Sequence, residues 1–187
     1  AKTATKKRAD IEVDLSAIAK GYGVDEIARV LDGLEQTHYL VEIGGELRSR
    51  GQSIKGRPWR VGIEKPLSDR RAIQEVVALE NQSMATSGDY RNYREVDGKR
   101  VSHTIDPRTG KPIEHALASV TVIAPRCSTA DGWATALNVL GPNAGLALAR
   151  QEKIAALFIV RRPDGKFEEH STAAFKKIRI RSKPPTP

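Results

Sequence analysis

The chain has 187 residues, 39% hydrophobic and 29% charged, with no long apolar run, which excludes a helical membrane protein and suits one globular domain with a buried core. Its formal charge of +8 invites a polyanion partner, but nine of its 31 basic residues fall in residues 1–8 and 176–183, leaving 22 against 23 acids in the body. With aromatics at only 5% there is no stacking platform either, so no nucleic-acid partner is expected. The lone cysteine, Cys127, cannot form an internal disulfide and reads as a small packing residue ahead of a helix.

Residues 1–10 form a basic leader, expected to be flexible. Ile11-Glu12-Val13 alternates like the end of a strand, and Asp14 or Ser16 can cap a helix carrying Ile18, Tyr22, Ile27, Val30, Leu31 and Leu34 at helical spacing. Gly21 and Gly23 cost that helix about 1 kcal/mol each relative to Ala, so something is expected to pack closely against its backbone there. Strands are predicted over His38–Ile43 and, past the Gly44-Gly45 break, over Glu46–Arg50, Trp59–Ile63 and Glu75–Leu79.

Asp97-Gly98 between Tyr90–Val96 and Lys99–Ile105 suits a two-residue hairpin turn. Counting out from that turn pairs Val96 with Lys99, Arg94 with Val101, Asn92 with His103 and Tyr90 with Ile105. Asp106-Pro107-Arg108-Thr109-Gly110 is a turn, and the apolar run Leu117–Ala124 is a central strand. A helix opens at Ser128, with Asp131 three residues on as an acidic capping box, carries Trp133, Leu137 and Leu140, and ends at Gly141-Pro142. A short helix Asn143–Gln151, the strand Ala155–Val160, the Pro163-Asp164-Gly165 turn and a last short strand follow. The fold class is α+β: a single mixed domain over 11–177 with several short, largely antiparallel strands and three to four helices, then a tail over 178–187 whose Pro184-Pro185-Thr186-Pro187 reads as disordered.

Asp131 and Thr135 are four residues apart, so on a helix both oxygens share one face, as a hard cation with oxygen ligands requires. Each candidate also has a plain structural reading. Asp131 can accept N–H bonds at its own helix start, Thr135 can bond a carbonyl four residues back, His103 can be a core histidine, and Lys20 a solvated helix charge.

Order and spacing add what single residues lack. Asp14-Leu15-Ser16-Ala17-Ile18-Ala19-Lys20-Gly21-Tyr22-Gly23-Val24-Asp25, Glu42-Ile43-Gly44-Gly45-Glu46, Ala85-Thr86-Ser87-Gly88-Asp89-Tyr90, Ser102-His103-Thr104-Ile105-Asp106-Pro107-Arg108-Thr109-Gly110 and Ala130-Asp131-Gly132-Trp133-Ala134-Thr135 together resemble the ApbE family of FAD:protein FMN transferases, formerly labelled thiamine-biosynthesis lipoproteins. The resemblance runs from about Ile11 to about Phe175, with the N-terminal part of the family fold expected to be missing.

The resemblance implies an Mg2+-dependent transferase that cleaves FAD, attaches FMN through its phosphate to a Thr or Ser of an acceptor flavoprotein such as a quinone-reductase-type subunit, and releases AMP. Asp131 and Thr135 look like side-chain metal ligands, joined by the backbone carbonyl of Ala17; Asp14, Lys20 and Ile105 fall at positions that touch the FAD; His103 looks like the base that takes the acceptor hydroxyl's proton. FAD hydrolysis to FMN and AMP, or non-catalytic flavin carriage, are the alternatives. Similar proteins are periplasmic and associated with the inner membrane, so any membrane association is expected through an anchor absent from these residues.

Overall fold

The computed structural model describes residues 3–67, 69–88, 93–96 and 99–180. Its elements in chain order are α1 (Ser16–Gly33), β1 (Tyr39–Ile43), β2 (Glu46–Arg50), β3 (Trp59–Glu64), β4 (Ile73–Leu79), β5 (Ser83–Gly88), β6 (Tyr93–Val96), β7 (Lys99–Ser102), β8 (Ile105–Asp106), β9 (Lys111–Pro112), β10 (Leu117–Ala124), α2 (Cys127–Gln151), β11 (Ala155–Arg161), β12 (Phe167–Ser171) and α3 (Ala173–Lys176). The fold is α+β, with all strand pairs antiparallel among the described residues.

A six-stranded sheet in the order β1-β2-β5-β10-β11-β12 forms the frame. β10 is buried on both faces, as its continuous apolar run predicts. Its Val120 and Val122 pack with Ala130, Ala134 and Leu137 of α2, while Ile123 packs with Ile63 of β3, Val77 and Leu79 of β4 and Phe175 of α3. α2 therefore covers one face of the sheet, and the β3–β4 hairpin with α3 the other. Each fully buried Val, Leu or Phe in these layers contributes about 1.5–3 kcal/mol. Ile178 and Ile180, which the sequence assigns to the tail, hydrogen bond to β4 through Ala78 N and Val76 O.

The expected apolar stripe of α1 is not its buried face. Gly21, Val24, Asp25 and Ala28 are buried, whereas Ile18, Tyr22, Ile27, Val30 and Leu34 are exposed. Small residues win the interior because α1 lies directly on α2: a Cβ on Gly21 would stand 2.5 Å from the Cys127 carbonyl oxygen and 2.8 Å from Asp131 Cβ. The close approach that the two glycines led us to expect is thus between helices.

Charge sets how α1 sits on the sheet. Alternate residues of β2 meet charges of opposite sign on α1: Glu46 with Lys20 (2.7 Å), Arg48 with Asp25 (2.9 Å) and Arg50 with Asp32. Strand period two puts residues 46, 48 and 50 on one face, so the three pairs fix helix against strand.

The β6–β7 hairpin has the predicted register for Val96↔Lys99 and Arg94↔Val101. Asp97, Gly98, Tyr90 and Asn92 lie outside the described residues. Among the described residues the ladder runs from Val96↔Lys99 to Tyr93↔Ser102, and Ile105 pairs with Pro112 in the β8–β9 ribbon; the expected partners of His103 and Ile105 lie outside the described residues. Hydrogen bonds within the 106–110 turn, from Thr109 N and Gly110 N to Asp106 O, pull the chain into this second ribbon. α2 bends at Gly141 (φ 78°), where the sequence predicts one helix to end and the next to begin. Among the described residues no helix is long and apolar enough to cross a membrane.

Candidate active site

Asp131 sits one turn into α2 and is 3% exposed. Its Oδ2 accepts a hydrogen bond from the backbone N–H of Gly21 in α1 at 2.9 Å. Gly21 lies one helical turn after Ala17, so the Asp131 carboxylate meets α1 one turn from the residue whose carbonyl is expected to join it. The local capping box expected between Ser128 and Asp131 does not form. Ser128 N and Oγ instead donate to Asp25 of α1 at 3.0 and 2.7 Å, and Cys127 N donates to the same carboxylate at 3.0 Å. Asp25 thereby caps α2 from the neighbouring helix, which frees Asp131 to turn away from its own helix start.

Thr135, one turn further, is half-buried and lies 3.2 Å from Ser87 Oγ of β5. Lys20 Nζ donates to Glu46 Oε1, and both residues line a cavity of about 410 Å3 with Gly44, Gly45, Thr86 and Gly88. Gly44 and Gly45 hold φ of 60° and 102°, a left-handed turn that glycine adopts without strain and that keeps the cavity rim clear of Cβ atoms.

The electrostatics separate the buried acids. Burial pushes the carboxyl of Asp131 up, against the Gly21 N–H and the Lys20 charge, which favour the anion. Burial likewise pushes Glu46 up, opposed by its bond to Lys20 and reinforced by repulsion from Asp131. Burial also raises Asp25, yet the bonds from Ser128, Cys127 and Arg48 together outweigh it and leave that carboxyl below the ordinary range. Burial therefore dominates at Asp131 and Glu46, whereas at Asp25 the surrounding donors outweigh it.

The expected donor set of carboxylate, hydroxyl and backbone carbonyl oxygens is of the kind that suits a hard divalent ion. Among the described residues no three His, Cys, Asp or Glu side chains gather.

Of the residues singled out from sequence, Asp131 and Lys20 make contacts that join α1, α2 and β2, Thr135 of α2 faces Ser87 of β5, and Ala17 lies in the first turn of α1. Asp14 is exposed just before α1, where its Oδ1 accepts from Ser16 N at 2.6 Å; the N-cap itself is Leu15, between the two residues expected to cap. His103 is exposed directly after β7, and Ile105 is 48% exposed in β8, both on ribbons separate from the main sheet. Three further residues carry the site without having been assigned roles from sequence: Asp25, Glu46 and Ser87. The alternating Glu46, Arg48, Arg50 pattern opposite the charges of α1 is the signal that could have found the first two.

The ApbE family model matches residues 1–158. The chain belongs to the ApbE family. It is 49% identical over 177 residues to the FAD:protein FMN transferase of Haemophilus influenzae and 46% identical over 174 residues to that of Escherichia coli strain K12. These alignments cover 94% and 93% of this chain, and 51% and 49% of the relatives. Among solved structures, the flavin transferase ApbE from Vibrio cholerae matches with a TM-score of 0.79 at 48% identity, covering 89% of this chain and 52% of that one. The ApbE protein of Thermotoga maritima also gives 0.79, at 30% identity, covering 91% and 54%. The chain therefore spans about half the length of the ApbE proteins it matches, and the α+β fold is theirs.

Proposed function

We propose that this chain forms part of an Mg2+-dependent FAD:protein FMN transferase, joining FMN through its phosphate to a Thr or Ser hydroxyl of an acceptor flavoprotein and releasing AMP. The observation that carries the proposal is the Gly21–Asp131 bond, which holds a buried carboxylate of α2 against α1, close enough to Lys20 and Glu46 to feel their charges, within an ApbE fold. Names of relatives support the same chemistry: the H. influenzae and E. coli proteins are FAD:protein FMN transferases.

Asp131, Thr135 and the Ala17 carbonyl would hold the cation, which when bound neutralises charge on the diphosphate and on departing AMP. Lys20 presents its ammonium to the dinucleotide, and the glycine turn at 44–45 lets backbone approach it. Asp14, ahead of α1, and Ile105, on the β8–β9 ribbon, would contact the FAD. His103 accepts the hydroxyl proton as the acceptor oxygen bonds to the FMN phosphorus and the bond to the AMP oxygen breaks, a role that typically contributes about 10²- to 10⁴-fold. The periplasmic setting at the inner membrane rests on the family resemblance.

Incubating the chain with FAD, Mg2+ and a quinone-reductase-type flavoprotein subunit should leave flavin fluorescence on that subunit after denaturing electrophoresis, and Asp131→Ala should abolish it. Release of free FMN and AMP with no labelled subunit would overturn the transferase in favour of FAD hydrolysis.

A further inference from the structure

Glu46 is used on one side only. The residue is 2% exposed, its Oε1 accepts from Lys20, and its Oε2 is buried without a hydrogen-bond partner. That oxygen faces the glycine turn at the cavity rim, since a Cβ on Gly44 would stand 3.8 Å from it. A buried carboxylate oxygen with no donor is rare in native proteins, because water or a donor is forfeited without return. Nothing in the fold needs the second oxygen: Oε1 alone completes the ladder of charges between β2 and α1. An acceptor that the fold leaves unused, in a residue that lines a cavity and behind the glycine turn at its rim, calls for a donor from what the cavity binds.

Resting on the flavin-dinucleotide reading above, we propose that Glu46 Oε2 accepts a hydrogen bond from a hydroxyl of the ribityl or ribose chain beside the diphosphate of the bound FAD. The diphosphate offers only acceptors, so it cannot pair with this oxygen itself. The ring N–H groups of flavin and adenine lie many bonds from the phosphates. Lys20, 2.7 Å from the other oxygen of the same carboxylate, attracts phosphate, so the donors within reach of Oε2 are the sugar hydroxyls next to it. Glu46 then does two things at once: it aims the ammonium at the phosphate and reads the adjoining hydroxyl, distinguishing a dinucleotide from a bare pyrophosphate.

The test is a flavin-fluorescence titration of the whole chain with Mg2+, using FAD and analogues that each lack one ribityl or ribose hydroxyl. Wild type should bind one such analogue about tenfold more weakly than FAD, as expected for losing a hydrogen bond to a charged group. Glu46→Leu should bind that analogue and FAD equally, and the isosteric Glu46→Gln should show a reduced difference, with thermal melts reporting that both variants fold. Wild type binding every analogue as tightly as FAD would overturn the proposal, as would a penalty that persists in Glu46→Leu. Wild type failing to bind FAD at all would instead overturn the flavin reading beneath it, so the two failures are told apart by the first titration curve.

Discussion

Gly21→Ala is the sharpest test of how fold and site are joined. The added Cβ would lie 2.5 Å from the Cys127 carbonyl oxygen, 2.7 Å from its carbon and 2.8 Å from Asp131 Cβ, distances that real Cβ atoms do not adopt. The obstacle is largely backbone, so α1 and α2 must move apart. Overpacking costs about 1–3 kcal/mol, and here the rigid partner puts the cost at the upper end. Alanine's better helix propensity returns roughly 1 kcal/mol. Separation also lengthens the Gly21–Asp131 bond, and a hydrogen bond to a charged group is worth about 1.5–3 kcal/mol. The net loss is about 2–5 kcal/mol, from keeping that bond to losing it outright, or a fall in Tm of roughly 4–20 °C for a chain of this size. The comparison is Gly33→Ala on the same helix, where nothing lies within 4 Å and no loss is expected. Circular-dichroism melts of the three proteins read the difference directly. A Gly21→Ala protein that melts at or above wild type would refute the helix contact on which the metal site is drawn.

Other outcomes follow from the same geometry. Asp25→Asn should lower Tm at neutral pH by weakening the cap on α2. Because the folded carboxyl lies below its unfolded value, its contribution is present above the ordinary carboxylate range and lost as pH falls through the depressed value, so the two melting curves should converge in strong acid. Cys127, its thiol pushed up to about 12 by burial and neighbouring carboxylates, should resist a disulfide reagent at pH 8 until denaturant is added; rapid labelling of native protein would contradict this burial. His103→Gln should reduce transfer by about 10²- to 10⁴-fold while FAD affinity, followed by fluorescence, stays near wild type; unchanged transfer would remove His103 from the reaction.

The residues explain which parts of this arrangement were readable beforehand. β10 and the α2 turn at Gly141 were legible because a continuous apolar run and a Gly-Pro pair are strong local signals. β5 was not, although it lies in the middle of the sheet: Ser83-Met84-Ala85-Thr86-Ser87-Gly88 carries no alternation, and its place is earned by threonine hydroxyls meeting across strands, Thr86 with Thr121 at 2.8 Å. The buried face of α1 was misread because period analysis weighs bulky apolar residues, while contact between helices at backbone distance selects glycine and alanine. For the site, motif order placed Asp131, Thr135, Ala17 and Lys20 on the elements that meet. What it could not supply was Asp25 acting as a cap from another helix, since that bond spans 103 positions of sequence.

The contrast among the three buried acids shows where the fold stops serving itself. All three are under a tenth exposed, and desolvation is the largest influence on each. Asp25 receives two backbone N–H groups, a hydroxyl and a guanidinium, and ends as a stable anion. Asp131 and Glu46 could have been matched as fully by the same means, yet each is left with its carboxyl pushed upward and their mutual repulsion adds to the cost at Glu46. Such a cost in a folded protein is tolerated where a ligand removes it. A cation between Asp131 and a diphosphate, with a hydroxyl on Glu46, would relieve both acids together. Divalent ion and dinucleotide should therefore raise Tm more in combination than the separate increments predict, and strictly additive increments would mean that the two acids serve unrelated ends.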